Sequence, residues 1–98
     1  MCYAVNVIRS FKHSGLEKFF LTGSKAGIQP KHSSRLRLLL TTLALASTPE
    51  DMNRDGWGYH SLKGKLKNHY AVRVDGNWRL TFTFDGQDAI LVDYSDYH

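Results

Sequence analysis

The 98-residue chain has a single cysteine, Cys2, and therefore no internal disulfide. That composition suits a reducing compartment. Cys2 reads as an incidental thiol near the chain start. No stretch approaches the ~20 apolar residues that a membrane span needs. The longest, Leu36 to Ala46, is interrupted by Arg37, Thr41 and Thr42. The opening MCYAVNVIRS lacks a basic start before a long apolar block, so no signal peptide is expected. Neither G-x-G-x-x-G nor a P-loop occurs, so nucleotide binding of those kinds is not expected. The five histidines follow no HExxH or H-x3-5-H pattern, and one thiol cannot form a thiolate cage; no metal and no cofactor is expected. Internal repeats and low-complexity tracts are also lacking. At this length one domain over residues 1–98 with a modest core is expected.

Acidic residues are scarce and unevenly placed. The chain has 13 Lys and Arg against 9 Asp and Glu, a formal net charge of +4. Residues 1–48 hold Glu17 as their only acid. Residues 60–79 set Lys63, Lys65, Lys67, Arg73 and Arg79 against Asp75. Residues 80–98 hold four Asp and no Lys or Arg. Clustered positive charge attracts a phosphate backbone, so Lys63, Lys65, Lys67, Arg73 and Arg79 fit a nucleic-acid contact, and equally a plain basic surface.

The periodicity changes midway. YAVNVIRSF suggests a first strand over about Tyr3 to Arg9. Ser14, with Glu17 three residues on, has the pattern of a capping box. Leu16, Phe19 and Phe20 would share one face of the helix that follows, and Gly23 would stop it. Gly27 and Pro30 punctuate a linker. Leu36, Leu39, Leu40, Leu43 and Ala46 then recur at helical spacing, with Arg35 and Arg37 off the stripe and Pro49 marking the end. Downstream the period is two. GYHSLKG suggests a strand. Three more follow, joined by hairpin turns at Asp75-Gly76 and Asp85-Gly86. Tyr70, Val72 and Val74 alternate with Ala71 and Arg73. Trp78, Leu80, Phe82 and Phe84 face one way, and Asn77, Arg79, Thr81 and Thr83 the other. Ile90 and Val92 alternate with Leu91 and Asp93. The expectation is an α+β fold, with two N-terminal helices packed on one face of a small, mainly antiparallel sheet.

The other face can then carry chemistry. Arg73, Arg79 and Asn77 point away from the apolar stripe, with His60 and Lys63 on the preceding strand and turn. The terminal DYSDYH brings Asp96, Tyr97 and His98 to an end of the sheet. Cutting RNA without a metal requires a base for the 2′-hydroxyl, an acid for the leaving 5′-oxygen and cations for the phosphorane. Histidine suits proton transfer near neutrality. His13, His32 and His69 read as structural or surface residues. Trp78 reads as core, while Trp57, in a glycine-flanked loop, fits either core or a stacking platform.

IRSFKHSGLEKFFLTGSKAGIQPKH, HSLKG, GNWRLTF and the terminal DYSDYH, in that order, resemble HigB toxins of the RelE/ParE superfamily. The resemblance runs from Ile8 to His98. It implies a ribosome-dependent mRNA endonuclease that acts in the ribosomal A site of the cytoplasm without a metal. It also implies a helix-turn-helix antitoxin of the HigA kind, which would hold the toxin inactive and repress the operon. Contact with operator DNA would then be indirect, through the antitoxin, and no membrane is involved. The family's catalytic set falls on His60, Asp96, Tyr97 and His98. Lys63 takes the motif's lysine, and Asn77 and Arg79 take the polar positions of NWR. The chain departs from the pattern at Ser61 (commonly proline), Ser95 (usually glutamate) and Tyr70 (frequently tryptophan). Residues 1–6 read as an extension. Two rivals are a gyrase-targeting toxin of the ParE kind, which needs no acid–base set, and a non-catalytic RNA-binding or interaction module.

Overall fold

The computed structural model describes residues 8–62 and 68–96. Helix α1 spans Ser14–Thr22 and α2 spans Ser33–Leu45. Strands β1 (His60–Ser61), β2 (Tyr70–Asp75), β3 (Trp78–Asp85) and β4 (Asp88–Asp96) form one sheet in the order β1-β2-β3-β4. Every pairing is antiparallel. Short 3-10 turns, Pro30–His32 and Pro49–Met52, bracket α2. This is the α+β architecture that the change of period implied.

The helical stripe becomes the core. Leu36, Leu39, Leu40 and Leu43 of α2 are buried against Val72, Leu80, Phe82 and Val92 of the sheet. Each such side chain contributes about 1.5–3 kcal/mol of burial. From α1, Leu16 and Phe19 are buried, while Phe20 is half-buried with its ring 5.7 Å from Phe11. The linker crosses α1 so closely that a Cβ on Gly15 would lie 2.6 Å from the Gly27 carbonyl oxygen. Only glycine fits there. Arg35 departs from the expected off-stripe role. It turns back to donate to the carbonyls of Arg73 and Gly56.

The helix cap differs from the expected Ser14–Glu17 box. Ser14 is the first helical residue, and His13 is the cap. His13 has extended backbone angles, φ −103° and ψ 110°, and its Nδ1 accepts the Leu16 N–H at 3.0 Å. An imidazole nitrogen supplies the acceptor that a serine hydroxyl would have supplied. Replacing His13 by alanine should therefore cost about 1 kcal/mol, and His13→Asn should recover most of it. Urea unfolding midpoints check this; an alanine variant as stable as the parent would remove the cap's role.

Of the expected first strand, Tyr3 to Val7 lie outside the described residues. The segment after them runs parallel beside β4, with bridges Ile8 to Ala89 and Phe11 to Val92. At that edge β4 bulges: Thr81 pairs with Asp93 but Thr83 pairs with Ile90. Leu91 takes a positive φ of 55°, and Ser10 Oγ accepts its N–H at 2.9 Å. The extra residue shifts the alternation. Ala89, Val92 and Tyr94 are buried, whereas Ile90, expected to share the side of Val92, is half-exposed. Both expected hairpin turns are present, with Gly76 and Gly86 at φ of 55° and 65°. Among the described residues no helix is long and apolar enough to cross a membrane.

Candidate active site

The sheet face away from the helices carries the site. His60 pairs with Ala71, Ala71 with Thr81, and Thr81 with Asp93, so one row crosses all four strands. The next row holds Arg73, Arg79 and Ser95. Ala71 and Thr81 are buried and make a small-residue floor. The rim consists of the exposed imidazole of His60, the exposed Arg73 and the half-buried Arg79. Strand spacings of about 4.8 Å and row spacings of about 6.8 Å put the His60 and Arg73 backbones ~8 Å apart. A phosphodiester fits across that span.

His60 is oriented by its own turn. Its Nδ1 lies 2.8 Å from the Gly58 carbonyl oxygen. A carbonyl can only accept, so Nδ1 carries the proton and Nε2 keeps its lone pair when the ring is neutral. That is the form a general base requires.

Arg73 and Arg79 are direct cross-strand partners. Like charges in that position repel. Arg79 is held by Nη1, which donates to the carbonyls of Gly76 at 2.7 Å and Trp78 at 3.1 Å. A phosphodiester bound between the two guanidinium groups would offset part of that repulsion. Asn77 is exposed at the tip of the same turn. Arg73 is fixed through its backbone: its N–H donates to the Trp57 carbonyl at 2.6 Å and its carbonyl accepts from Arg35.

The register separates one expected member from this group. Asp96 pairs with Trp78 and so takes the side of Trp78 and Tyr94, at the end of β4. His60, Arg73 and Arg79 take the other side. Asp96 is therefore the last residue of β4, on the side opposite His60, Arg73 and Arg79. The carboxylate on the site's own face is Asp93, which sequence reasoning passed over. Counting the alternation from Val92 along VDYSD would have found it. Lys63, Lys65, Lys67, Tyr97 and His98 lie outside the described residues.

The remaining aromatics and imidazoles are structural or peripheral. Trp57 is buried, with the Arg35 and Arg54 guanidinium carbons 5.5 and 5.6 Å from its ring centre, so it is core and no stacking platform. Trp78 stacks on Tyr94 with centroids 4.6 Å apart. His69 is half-buried before β2. Tyr59 stacks on Tyr70, and burial pushes its phenol up to about 12, with Glu50 and Tyr70 adding to the shift. It does not exchange a proton near neutrality.

A two-helix, four-strand antiparallel fold with an exposed imidazole and paired arginines on its open face is consistent with the RelE-like class of small toxins. Over residues 9–98 the chain matches the family described as the RelE-like toxin of the type II toxin-antitoxin system HigB. It is 35% identical over 92 residues to a protein named Endoribonuclease HigB from Proteus vulgaris, covering 94% of this chain and all of that one. The chain belongs to the HigB-like toxin family, and type II membership implies a protein antitoxin as partner.

Proposed function

We propose that this protein is a ribosome-dependent endoribonuclease that cuts mRNA in the A site of the bacterial ribosome, in the cytoplasm. The observation that carries the proposal is His60, whose Nδ1 is held by the Gly58 carbonyl so that Nε2 keeps its lone pair, on the same face as the Arg73–Arg79 pair. The relative named Endoribonuclease HigB supports the RNA-cleaving reading. The whole chain would act as one toxin domain, with residues 1–6 ahead of it as an extension; the family match begins at residue 9. The antitoxin would be of the HigA kind, with a helix-turn-helix through which any operator contact passes.

In the proposed reaction, His60 Nε2 takes the proton of a 2′-hydroxyl, with Asp96 as the second candidate for that role. The 2′-oxygen bonds to phosphorus, and the bond from phosphorus to the 5′-oxygen breaks. His98 gives the departing 5′-oxygen its proton. The products are a 2′,3′-cyclic phosphate and a free 5′-hydroxyl. Arg79 and Lys63 stabilise the charge that builds on the phosphate oxygens, and Arg73, Lys65 and Lys67 hold neighbouring backbone phosphates. Asn77 and Tyr97 orient the nucleotide. The side chains' own part is proton transfer, charge stabilisation and orientation of the nucleotide.

The face is shallow and would rely on the ribosome to hold the message in the in-line geometry. Purified protein should therefore cut mRNA on programmed ribosomes and cut the same RNA poorly when it is free. Mapping of 5′ ends after both incubations tests this. Equal cutting of the two substrates would overturn ribosome dependence while leaving RNA cleavage standing.

A further inference from the structure

Where α2 meets the sheet, three side chains from distant parts of the sequence form one line of hydrogen bonds. His32 is 1% exposed. Its Nε2 lies 3.3 Å from Asp75 Oδ2, and its Nδ1 lies 2.6 Å from the Tyr94 hydroxyl. The Asp75 carboxylate can only accept, so Nε2 carries the proton. In the neutral ring Nδ1 then accepts from the Tyr94 O–H. The Gln29 N–H donates to the same hydroxyl oxygen at 3.4 Å. Burial pushes the Tyr94 phenol up, with the Gln29 N–H acting in the opposite direction, so the phenol keeps the proton that it donates. The rings are packed as closely: Trp78 stacks on Tyr94, and its centroid is 5.5 Å from that of His32, edge to face.

Asp75 ends β2 and opens the turn whose Gly76 carbonyl holds Arg79. The ladder between β2 and β3 shifts register between Arg73 and Asp75. Backbone pairing is therefore irregular where the turn begins, and the side-chain anchor supplies the missing constraint. Tyr94 sits two residues before Asp96, at the end of β4. One turn further along α2, Arg35 holds the Arg73 carbonyl, so the start of the helix grips both sides of the irregular register. With its imidazole and phenol buried and each partnered, and its carboxylate at the surface, such a network favours a single geometry over its alternatives.

We infer that His32 is a positioning residue: through Asp75 and Tyr94 it sets the turn bearing Asn77 and Arg79 against the end of β4 bearing Asp96. A misplacement of about 1 Å in such a site costs on the order of 10²-fold in rate.

The inference rests on the reading that Arg79 and the end of β4 serve one RNA-cleaving site, so its test has an arm independent of activity. Tyr94→Phe keeps the ring and the Trp78 stack and removes only the hydroxyl; His32→Gln removes the imidazole. In each variant, amide hydrogen exchange at residues 78–80 and 94–96 should quicken by about tenfold, while Ala89 and Val92 stay protected. On programmed ribosomes the saturating single-turnover rate should fall roughly 10- to 100-fold with the half-saturating concentration unchanged. Combination with Arg79→Ala should add less than the product of the separate losses. Parental exchange in Tyr94→Phe would overturn the inference, even if His32→Gln fails to fold. Faster exchange with a parental cleavage rate would overturn the link to the site. If the unaltered protein cuts nothing on ribosomes, the proposed function fails, and the exchange arm still decides whether His32 joins the two ends.

Discussion

His60→Gln is expected to lower the single-turnover rate of mRNA cleavage on programmed ribosomes by about 10²- to 10⁴-fold. The reason is local. With its Nδ1–H donated to the Gly58 carbonyl, the neutral imidazole presents Nε2 as a proton acceptor on the open face. Glutamine preserves a polar group of similar reach but takes up no proton near neutrality. Stability should hardly move, since His60 is exposed and surface substitutions usually change it by no more than about 0.5 kcal/mol. The measurements are the single-turnover rate on programmed ribosomes and the melting temperature. A variant that cuts at the parental rate would take the base role away from His60 and leave Asp96 as the remaining candidate.

Removal of His98 is expected to have an effect of similar size, about 10²- to 10⁴-fold, because it deletes the group proposed to protonate the 5′-oxygen. One polar residue at the chain end buries little apolar surface, so melting temperature and antitoxin binding should stay near those of the full chain. His98→Gln separates chemistry from chain length. It keeps a side chain able to form hydrogen bonds at the terminus but cannot give up a proton near neutrality. Its cleavage rate should fall with that of the deletion, and toxicity on induction should fall with it. A chain without His98 that cleaves A-site mRNA at the parental rate would leave the tail as a solvated end.

Much of the fold was legible because local rules sufficed. The stripe Leu36, Leu39, Leu40, Leu43 reads as a buried helix face from spacing alone, and the structure buries all four. Gly23 ends α1 with a φ of 81°, as a left-handed cap requires. Asp75-Gly76 and Asp85-Gly86 mark two real turns, and alternation in β3 put Arg79 on the side away from Leu80 and Phe82. The failures share another origin. Ser14 matched a capping pattern, yet His13 had the right backbone angles and an acceptor in reach, and a pattern match cannot weigh one neighbour against another. Ile90 was assigned to the wrong side because counting by twos assumes an unbroken pleat, and the bulge at Leu91 breaks it. Arg35 looked solvated because its acceptors, the carbonyls of Arg73 and Gly56, lie 38 and 21 residues away.

For the site the division is sharper. By itself the sequence determined the inventory: which residues can move a proton, which carry permanent positive charge, and which terminal motif marks the family. Short-range periodicity also determined that Arg73 and Arg79 share a face. Only the tertiary structure decided that these two guanidinium groups stand directly opposite each other, since that depends on the register of two strands. It also decided which nitrogen of His60 carries the proton in the neutral ring, because the Gly58 carbonyl settles it. And it turned His32 from a bland linker histidine into the tie between Asp75 and Tyr94, 43 and 62 residues distant. Hydrogen bonds and charge pairs act over a few ångströms in space, so their partners are set by packing and by strand register. Helical period and turn chemistry act over a few residues along the chain, which is why they could be read before any fold was known.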